Sequence, residues 1–376
     1  MNYDMKNLSK FILVAFGLMW CIKALPMEDH QERSGLPLQS SDFSKGKLRG
    51  FTLGNKPNNG GTTYSESDFF NLGTMKVNLT RVFLHLTRCK DCTSYSFPEE
   101  EVAYVQSILN EGEHYGFKVV VALEPMPAYA NSDYWKDKDL CNSIAQMWQS
   151  IASKLKPYPA LAAYDLLNEP VPPHGITDGL TPAMQTQMWR DFAIKLITSI
   201  RAVDPEHVVI FEPAPWAFPS AFKDLALLPF SNIVYSFHLY APHEFTHQGL
   251  PGVPYGLDYP GNGWDKTKLS AAVEPVRDFV RRTSAAIYVG EFSATRWAPN
   301  DSASRYLNDA IALFEAEKWS WTYLGYRGYQ GWDAEIPYDK PRELFKGIVP
   351  EARAPHTPSI DILREAFSRN KVFHRN

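Results

Sequence analysis

The sequence is poor in cysteine and has no excess of positive charge. It contains 4 cysteines among 376 residues, and its 38 lysines and arginines stand against 42 aspartates and glutamates, giving a formal net charge of −4. The few cysteines argue against a disulfide-rich scaffold, and the charge balance supplies no basic surface for nucleic acid. No segment beyond residue 25 is long and apolar enough to span a bilayer. We therefore expect neither a nucleic-acid partner nor a membrane-embedded chain.

The N-terminus has the pattern of a secretory signal. Lysines precede the apolar run Phe11–Ile22, and another lysine follows it. The run is too short for a membrane-spanning helix. We therefore predict a signal peptide over residues 1–25 and a mature protein that is secreted or periplasmic, with no membrane attachment after cleavage. A lipoprotein anchored at Cys21 is the alternative, but the bulky Trp20 stands where a small residue is expected.

Three cysteines remain in the predicted mature chain. Cys89 and Cys92 have the two-residue spacing of a redox or half-zinc motif, and Cys141 is distant from them. No second cysteine pair follows, as a four-cysteine zinc site would require. A two-residue gap also suits a local disulfide loop in an oxidising compartment, which is the interpretation we favour.

Short apolar runs bounded by turn residues alternate with amphipathic helical segments along most of the chain. This alternation is typical of parallel βαβ units. Eight such runs are present, which is the number of strands in a (β/α)8 barrel. The predicted strands are Leu48–Leu53, Val77–Leu84, Phe117–Leu123, Leu161–Leu167, His207–Phe211, Asn232–Phe237, Ala286–Glu291 and Trp319–Leu324.

The predicted fold is therefore of the α/β class, a single (β/α)8 TIM barrel over residues 46–376, preceded by an N-terminal extension over residues 26–45. Two long loops, Ala241–Asp265 and Gly325–Pro358, are expected after strands six and eight. An open doubly wound sheet is the alternative. It is disfavoured because the glycine-rich stretch Gly54–Gly61 matches no dinucleotide- or phosphate-binding fingerprint.

Polar residues stand within or directly after several predicted strands. Because the βα loops of a barrel converge on its C-terminal face, these residues are expected to share one cleft. A buried polar group is costly unless it is paired or functional. The set comprises Arg81, Glu124, Asn168, Glu169, Glu212, His238, Tyr240 and Glu291.

Two members of this set have the arrangement that glycosidic cleavage needs. Glu169 and Glu291 follow strands four and seven, which face each other across an eight-stranded barrel, so both carboxylates are expected in the central cleft. One carboxyl must be protonated to donate to the leaving oxygen, and the other must be ionised beside the anomeric carbon. The pair therefore predicts a glycosidase.

The segments around these residues resemble glycoside hydrolase family 5, the cellulase-type retaining β-glycosidases. The similarity rests on Tyr164–Pro170, Ser236–Tyr240 and Ile287–Phe292, in the order and spacing of that family. It implies that Glu169 is the acid/base and Glu291 the nucleophile of a double-displacement reaction. It implies no metal and no cofactor.

Further residues are expected to bind the substrate or to orient the catalytic pair. They are Arg81 on strand two, Asn168 beside the acid/base, and His238 and Tyr240 in the family's strand-six His-x-Tyr pattern. Asn168 is expected to hydrogen-bond a sugar 2-hydroxyl. Arg81 is expected to keep the nucleophilic carboxylate ionised.

Two positions depart from the family pattern. Glu124 stands in the region where a histidine usually follows strand three, and Leu324 stands where a stacking tryptophan usually ends strand eight. Trp332, in the loop after strand eight, is the candidate replacement for that aromatic platform. Glu124, Trp135 and Trp332 are therefore included among the predicted substrate-binding residues.

Aromatic residues make up 14% of the chain, with 10 Trp, 19 Tyr and 22 Phe. This is more than a core usually requires, and aromatic rings often line ligand clefts. Trp216, Trp264 and Trp297 fall in stretches that follow strands, where rings stack on sugar faces. Trp148 and Trp189 lie on predicted helices and are expected in the core.

The expected partner is a carbohydrate, most simply a β-glucan, cleaved by a monomeric enzyme. Mannan, β-1,3-glucan or another decorated glycan, and exo rather than endo action, remain open because loop variation changes the substrate on this fold. A non-catalytic glycan-binding barrel is the alternative from a different class. It is disfavoured because both expected glutamates are present.

A second alternative is a zinc protease. The segment His243-Glu244-Phe245-Thr246-His247 has the H-E-x-x-H pattern of metalloproteases, which needs both histidines on one helical face. Gly249 and Pro251 end any helix within about a turn of His247. No third ligand is apparent in the sequence, so this alternative is disfavoured.

Overall fold

The computed structural model describes residues 36–54, 64–85, 87–88, 95–96, 99–124, 138–171, 181–337 and 353–373. Within these residues, eight parallel strands close into a barrel. We number the barrel strands β1 to β8. They are Arg49–Leu53, Leu79–His85, Lys118–Glu124, Leu161–Asp165, Val208–Phe211, Ile233–Leu239, Ala286–Phe292 and Ser320–Tyr326.

The barrel confirms the fold class that the alternating pattern predicts. Neighbouring strands follow one another in chain order, and β1 closes the barrel by pairing with β8 through Arg49 and Trp321. Each strand boundary lies within two residues of its predicted position. The apolar runs predicted the strands well because parallel strands covered by helices are buried on both faces.

Helices cover the outside of the barrel. Their bounds, numbered α1 to α10 in chain order, are Ser40–Phe43, Glu66–Thr74, Glu99–Tyr115, Lys138–Leu155, Pro182–Arg201, His243–Thr246, Lys266–Ala272, Glu274–Thr283, Ser302–Ala316 and Pro358–Ser368. A two-residue antiparallel ladder, Thr87–Arg88 with Tyr95–Ser96, lies between β2 and α3 and was not predicted.

Helix α4 illustrates how the sequence positions these covering helices. Its buried residues include Leu140, Ile144, Trp148, Ile151 and Leu155, which recur at the spacing of one helical face. Trp148 is fully buried and its indole N–H donates to the carbonyl of Leu166, 3.2 Å away, just after β4. The prediction that Trp148 belongs to the core is confirmed, and so is the prediction for Trp189, which is also fully buried.

The barrel interior at the N-terminal end of the strands is apolar. It is filled by Leu79, Val120, Val234 and Tyr288 and by neighbouring aliphatic side chains. Phe43 of α1 closes this end, with its ring centroid 5.7 Å from that of Tyr288. The polar cleft is therefore confined to the opposite end of the same strands.

The connections after β6 and β8 begin at the C-terminal end of the barrel, and residues 338–352 of the second lie outside the described part of the chain. Residues 240–265 join β6 to α7 and include the one-turn helix α6. Trp332, which follows β8, donates its indole N–H to the carbonyl of Thr246 in this connection, 3.3 Å away. The two loops thus contact each other above the barrel.

Several predictions fall outside the described residues. These are the signal peptide over residues 1–25, the substrate contact Trp135 and the disulfide between Cys89 and Cys92. Among the residues that are described, no helix combines the length and apolarity needed to cross a bilayer.

Candidate active site

Eight polar residues on or directly after β2, β4, β5, β6 and β7 form one cluster, namely Arg81, Asp165, Asn168, Glu169, Glu212, His238, Tyr240 and Glu291. Arg81, which is fully buried, lies at its centre. The guanidinium donates from Nε to Asp165 at 2.9 Å, from one terminal nitrogen to Glu291 at 2.7 Å, and from the other to Asn168 and Glu212, each at 2.9 Å. A guanidinium shared by three carboxylates and one amide fixes the position of each of them.

Glu291, at the end of β7, is held by two donors. Besides Arg81, the Tyr240 hydroxyl donates to its second oxygen at 3.0 Å. Gly290 makes this geometry possible, because the pairing of β6 with β7 shifts register beside it and a Cβ on Gly290 would lie only 3.0 Å from His238 Nε2. The Gly-Glu sequence of β7 is therefore a steric requirement of the cluster.

Glu169 follows β4 in a left-handed backbone conformation, with φ of 46°. Non-glycine residues adopt this conformation rarely, and surrounding contacts must hold it. The Glu169 N–H donates to Glu212 at 2.7 Å, and His238 Nδ1 donates to a Glu169 carboxyl oxygen at 2.8 Å. The Glu169 side chain keeps 26% of its surface exposed, so its carboxyl remains accessible from the cleft.

The two predicted catalytic glutamates are close neighbours. One carboxyl oxygen of Glu169, one of Glu291 and a ring nitrogen of His238 all lie within 4.8 Å of one another. This group also has the donor types of a metal site. The nearby carboxylates of Glu212 and Glu291 outweigh burial and raise the pKa of His238 well above its usual value.

The cluster contains more carboxyls than cations. Arg81 and His238 supply two positive charges, whereas Asp165, Glu169, Glu212, Glu291 and the nearby Glu124 supply five carboxyls. A buried site cannot hold five ionised carboxyls against two cations. Neutrality is reached when three of the five carry a proton.

The pKa shifts indicate which carboxyls are protonated. Burial raises the pKa of Glu124, of Glu169 and of Asp165, the last to about 8. Burial acts in the same direction on Glu212, but His238 and Arg81 outweigh it and lower the pKa of that carboxyl. The two cations therefore favour the ionised form of Glu212, whereas burial favours the protonated form of Glu169.

Two residues of the cluster were not predicted as site residues. Asp165 lies inside the segment that carries Glu169, and Glu212 was noted at a strand end without a role. Both are fully buried. A charged residue inside or directly after an otherwise apolar strand is the sequence signal for such partners, but which groups they contact depends on the register between strands.

The aromatic predictions have mixed outcomes. Trp332 is half-buried beside the cleft, with its ring centroid 5.9 Å from that of Tyr240, the donor to Glu291. Trp216 and Trp264 are at least partly exposed. The prediction for Trp297 was wrong: it is fully buried and its indole N–H donates to the carbonyl of Gln248, 2.6 Å away, so its ring cannot stack on a sugar.

The H-E-x-x-H segment forms only the one-turn helix α6. The rings of His243 and His247 stack with centroids 4.1 Å apart, and the Thr246 hydroxyl lies 2.9 Å from His247 Nδ1. Among the described residues, the one group of three or more potential metal ligands is Glu169, His238 and Glu291. His247 packs against Tyr240 and Trp332, with ring centroids 5.1 and 5.2 Å away.

A closed (β/α)8 barrel with two neighbouring glutamates at the C-terminal ends of β4 and β7 is the architecture of a glycoside hydrolase. Comparison with known proteins identifies the family. The model of the cellulase family, glycosyl hydrolase family 5, matches residues 42–329, and the chain belongs to this family.

Individual relatives are distant. Endoglucanase C of Acetivibrio thermocellus is 22% identical over 253 residues, which cover 58% of this chain and 71% of that protein. A β-xylosidase of Phanerodontia chrysosporium is 22% identical over 295 residues, which cover 72% of this chain and 57% of that protein. The crystal structure of endoglucanase Cel5A from Thermotoga maritima superposes with a TM-score of 0.69 at 22% identity, covering 88% of this chain and all of that one. The structural likeness supports the fold.

Proposed function

We propose that the protein is an exported, retaining β-glycoside hydrolase that acts on a β-linked glucan. The observation that carries the mechanism is the short separation of Glu169 and Glu291, whose carboxyl oxygens approach within 4.8 Å. Retaining enzymes place their carboxyls about 5–5.5 Å apart, whereas inverting enzymes need about 6.5–9.5 Å to admit a water molecule between the carboxyl and the sugar.

In the first step, Glu291 attacks the anomeric carbon and forms a covalent glycosyl-enzyme. Arg81 and Tyr240 each donate to Glu291, and these two hydrogen bonds orient its carboxyl toward the sugar. Glu169 protonates the leaving glycosidic oxygen at the same time, because its raised pKa keeps a proton available.

In the second step, Glu169 acts as a base. It removes a proton from the water that attacks the glycosyl-enzyme and so releases Glu291. His238 contacts both carboxyls, with Nδ1 2.8 Å from Glu169 and 3.8 Å from Glu291. Its positive charge offsets the negative charge that moves between the two glutamates during the cycle.

Three further groups are assigned to the substrate. Asn168 accepts from Arg81 through its side-chain oxygen, which leaves its amide nitrogen to donate to the sugar 2-hydroxyl. Trp332 offers a half-buried ring next to Tyr240 as the platform beneath a sugar. Trp135 lies outside the described residues, and its contact with the substrate stays a prediction.

The choice of a β-glucan rests on the relatives, of which one is named an endoglucanase and another a β-xylosidase. Export rests on the signal-like pattern of residues 1–25. The mechanism is independent of both assignments, because it follows from the glutamate pair.

The test is a panel of soluble polysaccharides and aryl β-glycosides, with the products analysed by chromatography and the anomeric configuration followed by proton NMR. We expect β-glucans to be cleaved and the β anomer to appear first. Glu291→Ala, prepared in the same way, is the blank. Release of the α anomer, or equal rates in the blank, would contradict the proposed mechanism, and a preference for xylan or mannan would reassign the substrate.

A further inference from the structure

Glu124 is a carboxyl of the cleft that the two-step mechanism does not use. It ends β3, four residues after Val120, which packs in the barrel interior. Because side chains alternate along a strand, Glu124 lies on the same inward face as Val120, at the level of the catalytic cluster. Its Oε2 atom is buried and has no hydrogen-bond partner.

The neighbouring cations are already committed to other groups. Arg81 donates to Asp165, Asn168, Glu212 and Glu291. His238 uses one ring nitrogen for Glu169 and the other for Glu212. No cation in the described cluster is therefore left to pair with Glu124.

The charged groups that face Glu124 come from four strands and are mostly negative. Burial has the largest effect on the pKa of Glu124 and raises it. The pKa is raised further by three carboxyls, namely Glu169 after β4, Glu212 after β5 and Glu291 on β7, whereas Arg81 on β2 lowers it. His85 on β2 pairs in register with Glu124, and its Nε2 atom is also buried without a partner. Burial and the three neighbouring carboxyls therefore favour the protonated form of Glu124.

We propose that Glu124 is a specificity-determining residue that donates a hydrogen bond, as a neutral carboxylic acid, to a hydroxyl of the sugar bound at the catalytic glutamates. A protonated carboxyl is a donor, and a buried donor without a partner costs free energy that a ligand hydroxyl recovers. This inference rests on the proposed function and names a substrate contact of the same site.

The test compares Glu124→Gln with Glu124→Ala on the best substrate of the panel. Glutamine keeps a neutral donor of the same length, so kcat/KM is expected to stay within about fivefold of the wild-type value, whereas alanine loses about 10- to 100-fold. Glu101→Gln is the matched control, because Glu101 is a buried glutamate of α3 that lies 3.3 Å from His85 Nδ1 and is not among the charged groups that shift the pKa of Glu124.

Two further measurements separate this role from a structural one. Infrared difference spectra of wild type minus Glu124→Gln at pH 7 are expected to show a protonated carboxyl band. The alkaline limb of kcat/KM is expected to fall less steeply in Glu124→Gln, because glutamine cannot ionise. A carboxylate band, or a glutamine variant as impaired as the alanine variant, would overturn the neutral-donor role.

The possible outcomes also distinguish this inference from the proposed function. If the wild-type enzyme cleaves β-glycans and Glu124→Ala retains full activity, the role of Glu124 is wrong and the proposed function stands. Equal losses in Glu124→Ala and His85→Gln would show that Glu124 acts structurally through His85, which also overturns it. A wild-type protein that cleaves no β-linked glycan overturns the proposed function and the substrate contact together.

Discussion

The two ends of the barrel are built on the same strands but have opposite chemistry. On β2, Leu79 belongs to the apolar layer, and Arg81, two residues later, is the centre of the charged cluster; both are completely buried. On β6, Val234 and His238 show the same change over four residues. A single strand therefore contributes to a hydrocarbon core at one end and to a site with five carboxyls at the other.

This contrast separates stability from catalysis. At the apolar end, burial stabilises the fold by about 25 cal/mol for each Å² of apolar surface removed from water. At the polar end, every buried charge loses its hydration, and pairing recovers that loss only in part. We infer that substitutions at the two ends have different primary effects, on the free energy of unfolding at one and on turnover at the other.

The largest expected effect is at the polar end. Glu291→Ala is expected to lower kcat by at least about 10⁴-fold, because no other group can form the covalent intermediate. The free energy of unfolding is expected to fall by no more than about 3 kcal/mol, since Arg81 keeps its other acceptors. Steady-state kinetics and thermal unfolding of the same preparation check both points. Azide, which can replace the missing nucleophile, should restore turnover in this variant and not in wild type.

A second variant tests whether the cluster acts as a unit. Glu212 accepts from Arg81, from His238 and from the N–H of Glu169. In Glu212→Gln, the amide nitrogen must face one of these donors, so at least one contact is lost. We expect kcat to fall about 10²- to 10³-fold and the free energy of unfolding to fall by about 3 kcal/mol, as for other broken buried pairs. Unchanged kcat with lowered stability would show that Glu212 only supports the fold.

Substitution at the apolar end should reverse the pattern. Phe43 is fully buried against Tyr288, and Phe43→Ala is expected to lower the free energy of unfolding by about 3 kcal/mol, with kcat at 20–25 °C within about twofold of wild type. Urea denaturation and initial rates measure the two effects. A loss of kcat comparable to that of Glu212→Gln would mean that the two ends are not separable.

The apolar end and the strand positions were predictable from the sequence, because burial on both faces leaves short apolar runs bounded by turns. The order and spacing of the motifs also predicted that Glu169 and Glu291 would be neighbours. Their partners were less predictable. Asp165 and Glu212 meet Arg81 only through the way the strands pair, which includes a register shift between β3 and β4 and another at His238. Such shifts arise from contacts between strands that are distant in sequence.

The error at Trp297 has a related cause. Position after a strand predicts that a residue lies near the cleft, but it does not predict which way the ring points. The indole N–H of Trp297 finds an acceptor in the loop after β6, at the Gln248 carbonyl, and this contact draws the ring into the protein. Loop residues are therefore placed by partners that are distant in sequence.

The excess of carboxyls at the polar end makes stability depend on pH. Glu124 has a raised pKa in the folded protein, so above its ordinary value of 4.5 the folded state retains a proton that the unfolded state releases. The free energy of unfolding therefore falls as pH rises, by up to about 1.4 kcal/mol per pH unit for this proton. Urea denaturation between pH 5 and 7 is expected to give a shallower slope in Glu124→Gln than in wild type. Glu66→Gln, on the exposed face of α2, is the control, and its slope should match that of wild type.

The smallest expected effect concerns the aromatic wall above the polar end. Trp332 lies between Tyr240 and Tyr329, with ring centroids 5.9 and 5.2 Å away, and its indole N–H is tied to the Thr246 carbonyl. If its ring carries a sugar, Trp332→Ala should raise KM about tenfold with little change in kcat, because stacking contributes equally to the ground and transition states.

Phe70→Ala is the control for this measurement, since Phe70 is a 63% exposed ring on α2, far along the chain from the cleft loops. Trp332→Phe keeps a flat apolar ring and should recover most of the affinity. A fall in kcat at constant KM would instead indicate that Trp332 acts through Tyr240 on the nucleophile. That result would mean that the loop after β8 contributes to catalysis as well as to substrate binding, and that the catalytic region includes residues beyond the barrel strands.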